Sequence, residues 1–195
     1  MIALIDYGAG NTASVANSLK TLNADYILTN VEEEIKKCEK VIFPGVGEAS
    51  SAIKKINEIK IFSLLKEIDK PMLGICLGLQ LMCAHSEEGD VDCLGIFPAD
   101  TVKFVLKKSA VPHMGWNQIY FKKKSKLFEG IKEGEFFYFA HSYYVPMNEY
   151  TTAYTSYEID FSAALEKDNF YGLQFHPEKS SHAGLKILRN FIELC

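Results

Sequence analysis

The sequence predicts an α/β fold: a single domain over residues 1–195, with a central, mostly parallel sheet, helices on both faces and a strand-rich second half. Two patterns predict it. In the first half, short runs that are apolar at almost every position alternate with segments of helical periodicity, which is typical of parallel strands buried on both faces. From about residue 91, closely spaced aromatic-rich segments partly alternate, which favours antiparallel or mixed strands.

The first half is predicted to contain four strands, each followed by helical segments. The strands are the apolar runs at 2–6, 26–28, 40–44 and 71–75. Apolar residues at helical spacing predict helices over 12–22, 31–38, 48–57, 61–68 and 77–85. Because ligand sites in open parallel sheets lie beyond the carboxyl ends of the strands, the residues after these strands are the first candidates for a site.

The second half is predicted to add six strands and a final helix. The strands are TVKFVL (101–106), NQIYF (117–121), EFFYFA (135–140), TAYTSY (152–157), FSAALEK (161–167) and FYGLQF (170–175). The last strand leads through HPEKSS into a helix over about 180–194 with one apolar side. The sequence has no internal repeat, low-complexity tract or linker, which supports one domain.

The composition is that of an ordinary globular protein and argues against several classes of function. Of 195 residues, 48% are hydrophobic and 24% are charged, and the net charge is −4. Arg189 is the only arginine, and neither GxxxxGK[ST] nor GxGxxG occurs, so we expect no nucleic-acid partner and no nucleotide-binding motif. No apolar stretch approaches the roughly 20 residues of a membrane span, so we expect no membrane association.

The cysteines predict a reduced, cytoplasmic protein. They are odd in number, scattered and without a CxxC pair, which argues against a disulfide frame: Cys38, Cys76, Cys83, Cys93 and Cys195. Four of them, all except Cys76, are expected to be structural or incidental, with Cys83 in the core. The first residues, MIALIDYG, lack a basic n-region and a small-residue cleavage site, so we expect no signal peptide.

Cys76 is the first candidate for chemistry, because it lies on the predicted strand-to-helix turn of GICLG (74–78). Flanking glycines permit a tight turn that lifts the residue between them clear of the sheet, as in the G-x-S-x-G nucleophile elbow. The positive end of the following helix favours a thiolate. Cysteine is also often buried for packing alone, so this stretch by itself leaves a reactive and a structural Cys76 equally open.

His176 and Glu178, in HPE (176–178), supply a base and a group to orient it. A thiolate nucleophile needs a proton shuttle, commonly histidine, and that histidine needs an acceptor. Pro177 biases His176 towards extended backbone, in which residues i and i+2 project to the same side. HPE alone is also compatible with an exposed turn at a strand end, and only together with Cys76 does it predict a Cys–His–Glu set.

An oxyanion site is predicted at PGVG (44–47), directly after the third strand. Its glycines allow backbone N–H groups to turn towards the nucleophile. We expect the amides around Val46 and Gly47 to act as donors, together with the amide of Leu77. A tight strand-to-helix turn would need the same glycines, and both interpretations can hold at once.

Metal binding is the rival interpretation of the residues around His176. Glu178 and His182 lie close to it in the sequence, and Cys195 is near. No HExxH, CxxC or HxxxH spacing is present, so we expect no metal and no cofactor. His85, near the end of a predicted helix, is interpreted as a solvated or capping residue, and His113 and His141, beside aromatic-rich segments, as structural.

Together, GICLGLQ (74–80), FHPEKS (175–180) and FPGVG (43–47) resemble the class I, triad-type glutamine amidotransferases, which hydrolyse glutamine with a Cys–His–Glu triad and pass the ammonia to a synthase. Four further stretches resemble one branch of that family, the glutaminase subunits of imidazole glycerol phosphate synthases in histidine biosynthesis. They are DYGAGN (6–11), PHMGWN (112–117), YFAHSYYV (138–145) and GLQFHPEKSS (172–181). The resemblance covers residues 1–195 without a large insertion.

The resemblance implies a role for each catalytic residue. Cys76 would form a γ-glutamyl thioester, His176 would be the general acid and base, and Glu178 would orient His176. The backbone of 44–47 would be the oxyanion strand, reshaped when the partner is active. We therefore expect little glutaminase activity from the isolated chain and strong stimulation by a ligand-bound partner.

The resemblance also implies substrate and partner contacts. Gln80 would contact the glutamine, and the backbone at Ser142 and Tyr143 would hold its α-amino and carboxylate groups. Residues at or near the face that docks on the partner would be Asn11, Trp116, Asn117, Tyr138 and Lys179. The two large aromatic residues of this set would also suit ordinary packing.

The implied partner is a separate (β/α)8 cyclase chain, since the sequence closes after its last helix and leaves no room for a fused one. The two would form a heterodimer in which L-glutamine is the substrate and ammonia reaches the cyclase through a tunnel. One alternative is a paralogous glutaminase that supplies a surface-sugar amidation pathway. A second is a non-catalytic docking subunit, against which the intact Cys76, His176 and Glu178 argue. A cysteine hydrolase of the same fold is disfavoured by PHMGWN (112–117).

Overall fold

Strands and helices alternate through the first half of the chain, as predicted. The computed structural model describes residues 1–8 and 11–195, so Ala9 and Gly10 of the DYGAGN stretch lie outside the described residues. The strands are β1 (Ile2–Ile5), β2 (Tyr26–Thr29), β3 (Lys40–Gly45) and β4 (Met72–Cys76). The helices are α1 (Thr12–Thr21), α2 (Glu32–Lys37), α3 (Ala49–Glu58), α4 (Phe62–Lys66) and α5 (Leu77–Met82).

The second half is rich in strands and ends in a helix. The strands are β5 (His85–Ser86), β6 (Val91–Asp92), β7 (Asp100–Lys103), β8 (His113–Gln118), β9 (Tyr120–Phe121), β10 (Phe136–His141), β11 (Tyr143–Tyr144), β12 (Thr151–Tyr157), β13 (Ile159–Lys167) and β14 (Phe170–Leu173). The last helix is α6 (Ser181–Leu194), and short 3₁₀ helices occupy Lys126–Phe128 and Pro177–Lys179. No helix in the described part of the chain is long and apolar enough to cross a bilayer.

An eight-stranded sheet in the order β2-β1-β3-β4-β14-β13-β12-β9 forms the centre. The pairs from β2 to β14 are parallel, and those from β14 to β9 are antiparallel. The prediction of a mostly parallel sheet with a strand-rich second half is therefore confirmed. A parallel strand such as β4 must be covered on both faces, which explains why its residues are all buried.

Two hydrophobic clusters cover the two faces of this sheet. Ala3 and Ile5 of β1 belong to one cluster, while Ile2 and Leu4 belong to the other, as the period of two in a strand requires. The first cluster contains buried residues of α2, α3 and α4, and the second contains those of α1 and α6. Helices therefore pack on both faces, as predicted.

Helix α5 is shorter than predicted, because the chain leaves the helix at Cys83 in an extended conformation. The loop that follows takes up the free carbonyls of its last turn: Gly95 N donates to Cys83 O at 2.8 Å and Ile96 N to Met82 O at 2.9 Å. The interpretation of His85 as a helix-end residue is therefore wrong. His85 begins β5, which belongs to a small sheet, β11-β7-β5-β6, that the sequence did not predict.

Candidate active site

Three carboxyl ends of neighbouring strands meet at one edge of the main sheet. Gly45 at the end of β3 lies in register with Cys76 at the end of β4, and Leu173 at the end of β14 lies in register with Ile75. The segments that follow are PGVG, the GICLG turn and FHPEK. The sheet thus brings together the three segments in which the sequence placed the oxyanion donors, the nucleophile and the base.

Cys76 occupies a strained turn between β4 and α5. Its φ is +53° and its ψ is −108°, a backbone conformation that non-glycine residues rarely adopt and that is typical of a nucleophile elbow. The turn is possible because α5 packs directly on β3: a Cβ at Gly78 would lie 1.9 Å from the carbonyl oxygen of Phe43. The elbow expected around Cys76 is therefore present in the backbone.

His176 and Glu178 form a hydrogen-bonded pair beside the elbow. His176 Nδ1 lies 2.8 Å from Glu178 Oε1, and the two side chains are only 3% and 2% exposed. His176 has the expected extended backbone, whereas Glu178 lies in the 3₁₀ helix that starts at Pro177. Because the carboxylate can only accept, Nδ1 carries the proton in this hydrogen bond. The other ring nitrogen, Nε2, is not used by Glu178.

The charge of His176 is coupled to that of Cys76. Burial alone would lower the pKa of His176, but the Cys76 sulfur and the Glu178 carboxylate outweigh it and raise this pKa to about 10. The imidazolium form of His176 is thus favoured at neutral pH. By contrast, burial raises the pKa of the Cys83 thiol to about 12, so Cys83 stays neutral in the core, as predicted.

Ser180 fixes the backbone of the candidate base, a role that the sequence did not predict. Ser180 Oγ donates to His176 O at 2.6 Å and accepts from Tyr138 N at 2.9 Å. His176 N in turn donates to Tyr138 O at 2.8 Å. Strand β10 therefore holds the histidine from its backbone side. A buried serine next to a helix start is a weak signal, because the same residue commonly caps a helix.

A small cavity of about 80 Å³ opens beside the nucleophile. Its walls bring together seven residues that the sequence placed at the nucleophile, the oxyanion site or the substrate: Val46, Gly47, Cys76, Leu77, Gln80, Ser142 and Tyr143. Three residues without such a prediction complete the walls: Glu88, Ala140 and His141. A much larger cavity of about 970 Å³ lies near Tyr171, at the amino-terminal end of β14 and away from the nucleophile. The small cavity is the candidate substrate site, because the chemical groups converge there.

The oxyanion segment borders this cavity and is more exposed than the elbow. Val46 is 38% exposed, and Gly47 has a φ of +104° with no atom within 4 Å of a Cβ built on it. Leu77, by contrast, is buried in the first turn of α5. The candidate donors therefore come from one exposed turn with few contacts and from one packed helix start, both of which line the cavity.

The carbonyl of Tyr143 is already fully used by the protein. It accepts from Gln80 Nε2 at 2.9 Å and from His141 Nδ1 at 2.7 Å. The carbonyl of Ser142 accepts from Phe104 N at 3.0 Å, which leaves one of its two lone pairs. Glu88, which was not predicted, adds a carboxylate to the cavity wall, and its SEEG context after a helix carries no clear signal.

His113 and His141 form a buried neutral pair behind the cavity. His113 Nδ1 lies 3.1 Å from His141 Nε2, and burial lowers their pKa values to about 4 and 3. Asn117 Nδ2 approaches the outer nitrogen of His113 at 3.3 Å. This arrangement agrees with the structural interpretation of both histidines. It also places Asn117 in the interior network rather than on an outward face.

Of the predicted docking residues, Trp116, Tyr138 and Lys179 form one outward cluster. Trp116 is 53% exposed and packs edge-on against Tyr138, with the ring centroids 6.2 Å apart. Lys179 Nζ lies over the Tyr138 ring at 5.7 Å from its centroid. Asn11 serves locally as the N-cap of α1, accepting from Ser14 N at 3.3 Å.

The rival metal site finds no geometric support in the described residues. Within 1–8 and 11–195, no three His, Cys, Asp or Glu side chains come close enough together to hold a metal ion. His85 pairs instead with Asp90 and Asp92 at 3.2 and 3.1 Å. A hydrogen bond to Asp92 raises the pKa of His85. His85, Asp90 and Asp92 therefore form a surface cluster of ion pairs.

The fold and this site define an α/β protein with an elbow cysteine next to a buried His–Glu pair. The chain belongs to the class I glutamine amidotransferase family, whose description, "Glutamine amidotransferase class-I", matches residues 3–194. The match covers nearly the whole chain, so one family accounts for both the parallel sheet and the strand-rich second half.

Relatives with similar sequences carry one name. The chain is 53% identical over 195 residues to "Imidazole glycerol phosphate synthase subunit HisH" of Bacteroides fragilis (strain YCH46), with 99% of each chain covered. It is 41% identical over 194 residues to the protein of that name from Buchnera aphidicola subsp. Acyrthosiphon pisum (strain APS), again with 99% of each covered. The similarity leaves no substantial part of the chain unmatched.

Solved structures share the fold at low sequence identity. A protein from Thermoplasma acidophilum described as part of a GMP synthase matches with a TM-score of 0.75 and 20% identity, covering 98% of this chain and 91% of the other. A second structure, described as a glutamine amidotransferase, matches with a TM-score of 0.77 and 16% identity, covering 100% and 98%. At such identities the likeness supports the fold alone.

Proposed function

We propose that the chain is the glutaminase subunit of an imidazole glycerol phosphate synthase. It hydrolyses L-glutamine to glutamate and ammonia, and a separate cyclase subunit uses the ammonia in histidine biosynthesis. The observation that carries the proposal is the convergence of Cys76, His176 and Glu178 at one sheet edge. It occurs in a chain that is 53% identical, over 99% of its length, to a protein named as that subunit.

In the first half-reaction, the Cys76 thiolate attacks the side-chain carbonyl carbon of glutamine. An S–C bond forms, and the carbonyl π electrons move to the oxygen, which the N–H groups of Leu77 and the Val46–Gly47 segment stabilise. The raised pKa of His176, about 10, keeps its imidazolium protonated. That proton passes to the leaving nitrogen, the C–N bond breaks, and ammonia departs from a γ-glutamyl thioester.

In the second half-reaction, His176 is neutral and acts as a base. It takes a proton from a water molecule, whose oxygen attacks the thioester carbonyl through the same oxyanion arrangement. The C–S bond breaks, glutamate leaves, and the thiolate–imidazolium pair of Cys76 and His176 is restored. Glu178, bonded to Nδ1 at 2.8 Å, keeps the ring oriented through both steps.

The free acceptors of the cavity indicate how the α-ammonium group of glutamine is held. Because the Tyr143 carbonyl already accepts two hydrogen bonds, it has no further lone pair to offer. The Ser142 carbonyl remains, as does the Glu88 carboxylate, whose Oε2 accepts one hydrogen bond from Ala49 N at 3.0 Å and which has further lone pairs. The proposal therefore assigns the ammonium to these two groups and the side-chain amide of the substrate to Cys76 and Gln80.

The partner surface is proposed on the two-stranded sheet of β8 and β10, next to Lys179. Met114, Trp116 and Phe136 on these strands are all largely exposed. Exposed aromatic anchors beside a cation are typical of protein interfaces. The nucleotide substrate is assigned to the cyclase subunit, which agrees with the single arginine of this chain. The five free cysteines support a reducing, cytoplasmic location.

The decisive experiment mixes the purified chain with candidate cyclases and follows glutamate release. We expect little activity from the chain alone and strong stimulation by a cyclase carrying its nucleotide. Full activity without any partner would contradict the proposed dependence on the oxyanion segment. Stimulation by a surface-sugar amidating enzyme, and by no cyclase, would instead favour the paralogous pathway.

A further inference from the structure

Gln174 lies between the nucleophile and the substrate contact Gln80, and neither the triad nor the oxyanion site accounts for it. It follows β14 directly and is completely buried. Its Nε2 lies 3.8 Å from Cys76 Sγ, and its Oε1 lies 3.1 Å from Gln80 Nε2. Burying a primary amide is unfavourable unless each polar group has a partner, and here the partners are groups of the active site.

One carbonyl fixes the orientation of both amides. The Tyr143 carbonyl can only accept, so Gln80 must turn its NH₂ group towards it, at 2.9 Å. The same NH₂ group faces Gln174, which must therefore present its oxygen to Gln80. The NH₂ group of Gln174 is then left for the sulfur of Cys76. The direction of each hydrogen bond therefore follows from the Tyr143 carbonyl, which can only accept. It does not depend on an arbitrary assignment of the oxygen and nitrogen atoms of the two side-chain amides.

We propose that Gln174 is a positioning residue for the hydrolysis of glutamine. Its N–H group donates to the Cys76 sulfur, which favours the thiolate and restrains the rotation of the side chain. Its oxygen accepts one N–H group of Gln80 and the Tyr143 carbonyl accepts the other, so that Gln80 is left to offer Oε1 to the substrate. The proposal rests on the proposed function for the reaction that this positioning serves.

The size of the effect follows from the length of the contact. An N–H group aimed at an anion stabilises it more than a neutral hydrogen bond would, but 3.8 Å to sulfur is a long contact. We therefore expect its loss to reduce the thiolate fraction by up to about tenfold, which corresponds to a rise of about one unit in the apparent pKa of the Cys76–His176 pair.

The test uses Gln174→Leu and Gln174→Glu in the full chain. Alkylation of Cys76 by iodoacetamide is followed against pH by mass spectrometry of the Cys76 peptide. Gln174→Leu removes the donor, so its apparent pKa should rise. Gln174→Glu keeps an oxygen for Gln80 but turns a second oxygen towards the sulfur, so its apparent pKa should rise further. Gln174→Met replaces the leucine variant if that variant does not fold.

Asn190→Leu is the matched control. Asn190 is equally buried, and its Nδ2 donates to the carbonyls of Leu127 and Glu129, away from the nucleophile. It should lower stability to a similar extent while leaving the pH profile of Cys76 unchanged. A purely structural Gln174 would behave like this control. An unchanged profile in both Gln174 variants, or a profile shifted equally in the control, overturns the proposal.

A second readout separates this proposal from the proposed function. Glutamine hydrolysis is measured in the complex with the cyclase, where Gln174→Leu should lower kcat about tenfold and also raise KM, because Gln80 is no longer held. If the wild-type complex hydrolyses no glutamine, the proposed function fails. The alkylation profile still decides the role of Gln174, since iodoacetamide reports on the thiolate without any glutamine.

Discussion

The elbow around Cys76 and the oxyanion segment 44–47 border the same cavity, but they use glycine for opposite reasons. In the elbow, Gly78 is required by packing, because a Cβ there would lie 1.9 Å from the carbonyl oxygen of Phe43. In the oxyanion segment, Gly47 needs only its backbone freedom: its φ is +104°, and no atom lies within 4 Å of a Cβ. The elbow is fixed by its neighbours, and so is Gly45, where a Cβ would lie 2.9 Å from Gly78 N; only the Val46–Gly47 end of the oxyanion segment is held by few of them.

This difference separates two parts of the proposed mechanism: the positioning of Cys76 and the orientation of the oxyanion donors. The proposed nucleophile Cys76 is almost buried at the end of a sheet strand, whereas Val46 of the oxyanion segment is 38% exposed. A partner that contacts the exposed segment can therefore change where its N–H groups point without disturbing the thiol. We expect regulation to act on the oxyanion donors and chemistry to depend on the elbow. Four experiments test this division.

The largest effect is expected from Cys76→Ala. It removes the proposed nucleophile, so glutamine hydrolysis in the complex should fall by roughly 10³-fold or more, while binding of the partner is retained. Glutamate release and co-purification with the cyclase are the measurements. Cys83→Ala is the control, because the Cys83 thiol lies in the core with its pKa raised to about 12 by burial. Labelling of Cys83 instead of Cys76 by a glutamine-mimicking electrophile would show that the nucleophile is misassigned.

Gly78→Ala should have the next largest effect, because it disturbs the tightly packed elbow. The new methyl group would collide with the backbone of β3 rather than with a flexible side chain. We expect the free energy of unfolding to fall by about 3 kcal/mol or more, with loss of hydrolysis. Urea unfolding of the isolated chain measures the first quantity. A stable Gly78→Ala chain would mean that α5 can move away from the sheet, and that the elbow is not rigid.

Gly47→Ala should act on activity more than on stability. Open space around Gly47 means that only the unfavourable φ opposes the methyl group, at about 1–2 kcal/mol. Displaced oxyanion donors should lower hydrolysis in the complex by roughly tenfold or more. Gly95→Ala is the matched control: its φ is +67°, its surroundings are equally open, and it lies outside the cavity. Equal losses of activity in the two variants would contradict the role of segment 44–47.

Most of the architecture could be predicted from the sequence, because buried parallel strands leave an unmistakable pattern. Runs such as 41–44 and 71–75 are apolar throughout, which is typical of strands covered on both faces. The rule that sites lie beyond the carboxyl ends of strands then placed Cys76 and His176 together before any contact was known. Geometry supports that placement through the register of β3 with β4 and of β4 with β14.

The parts that could not be predicted depend on contacts between distant segments. The small sheet containing β5 joins residues around 85, 91, 100 and 143, and its two-residue strands are too short to show a period. Gln174 lies beside Cys76 and Glu88 lies in the cavity wall because distant segments of the chain pack together. Their neighbours in sequence do not indicate these positions. The end of α5 at Met82 depends on a loop that returns to take its carbonyls.

A last experiment uses pH to test whether the cavity wall that contains His141 and Tyr143 is as fixed as the elbow. The wall is the chain of hydrogen bonds from His113 through His141 to the Tyr143 carbonyl, at 3.1 and 2.7 Å. It requires a neutral His141, because Nε2 must accept while Nδ1 donates. Burial lowers the pKa values of His113 and His141 to about 4 and 3.

The sign of the pH dependence follows from where protons bind. Below the ordinary histidine pKa of about 6.5, the unfolded chain takes up protons that these two folded residues exclude until pH 4 or 3. Their burial therefore lowers stability progressively as the pH falls through that window, by at most about 1.4 kcal/mol per pH unit for His141. His141→Phe removes the contribution of His141 and leaves that of His113, so its urea midpoint should fall less steeply than that of the wild type between pH 6.5 and 4. Because Tyr143 then loses a donor, the same variant should be less stable at pH 7; equal slopes in the two proteins would mean that the wall opens and admits the proton.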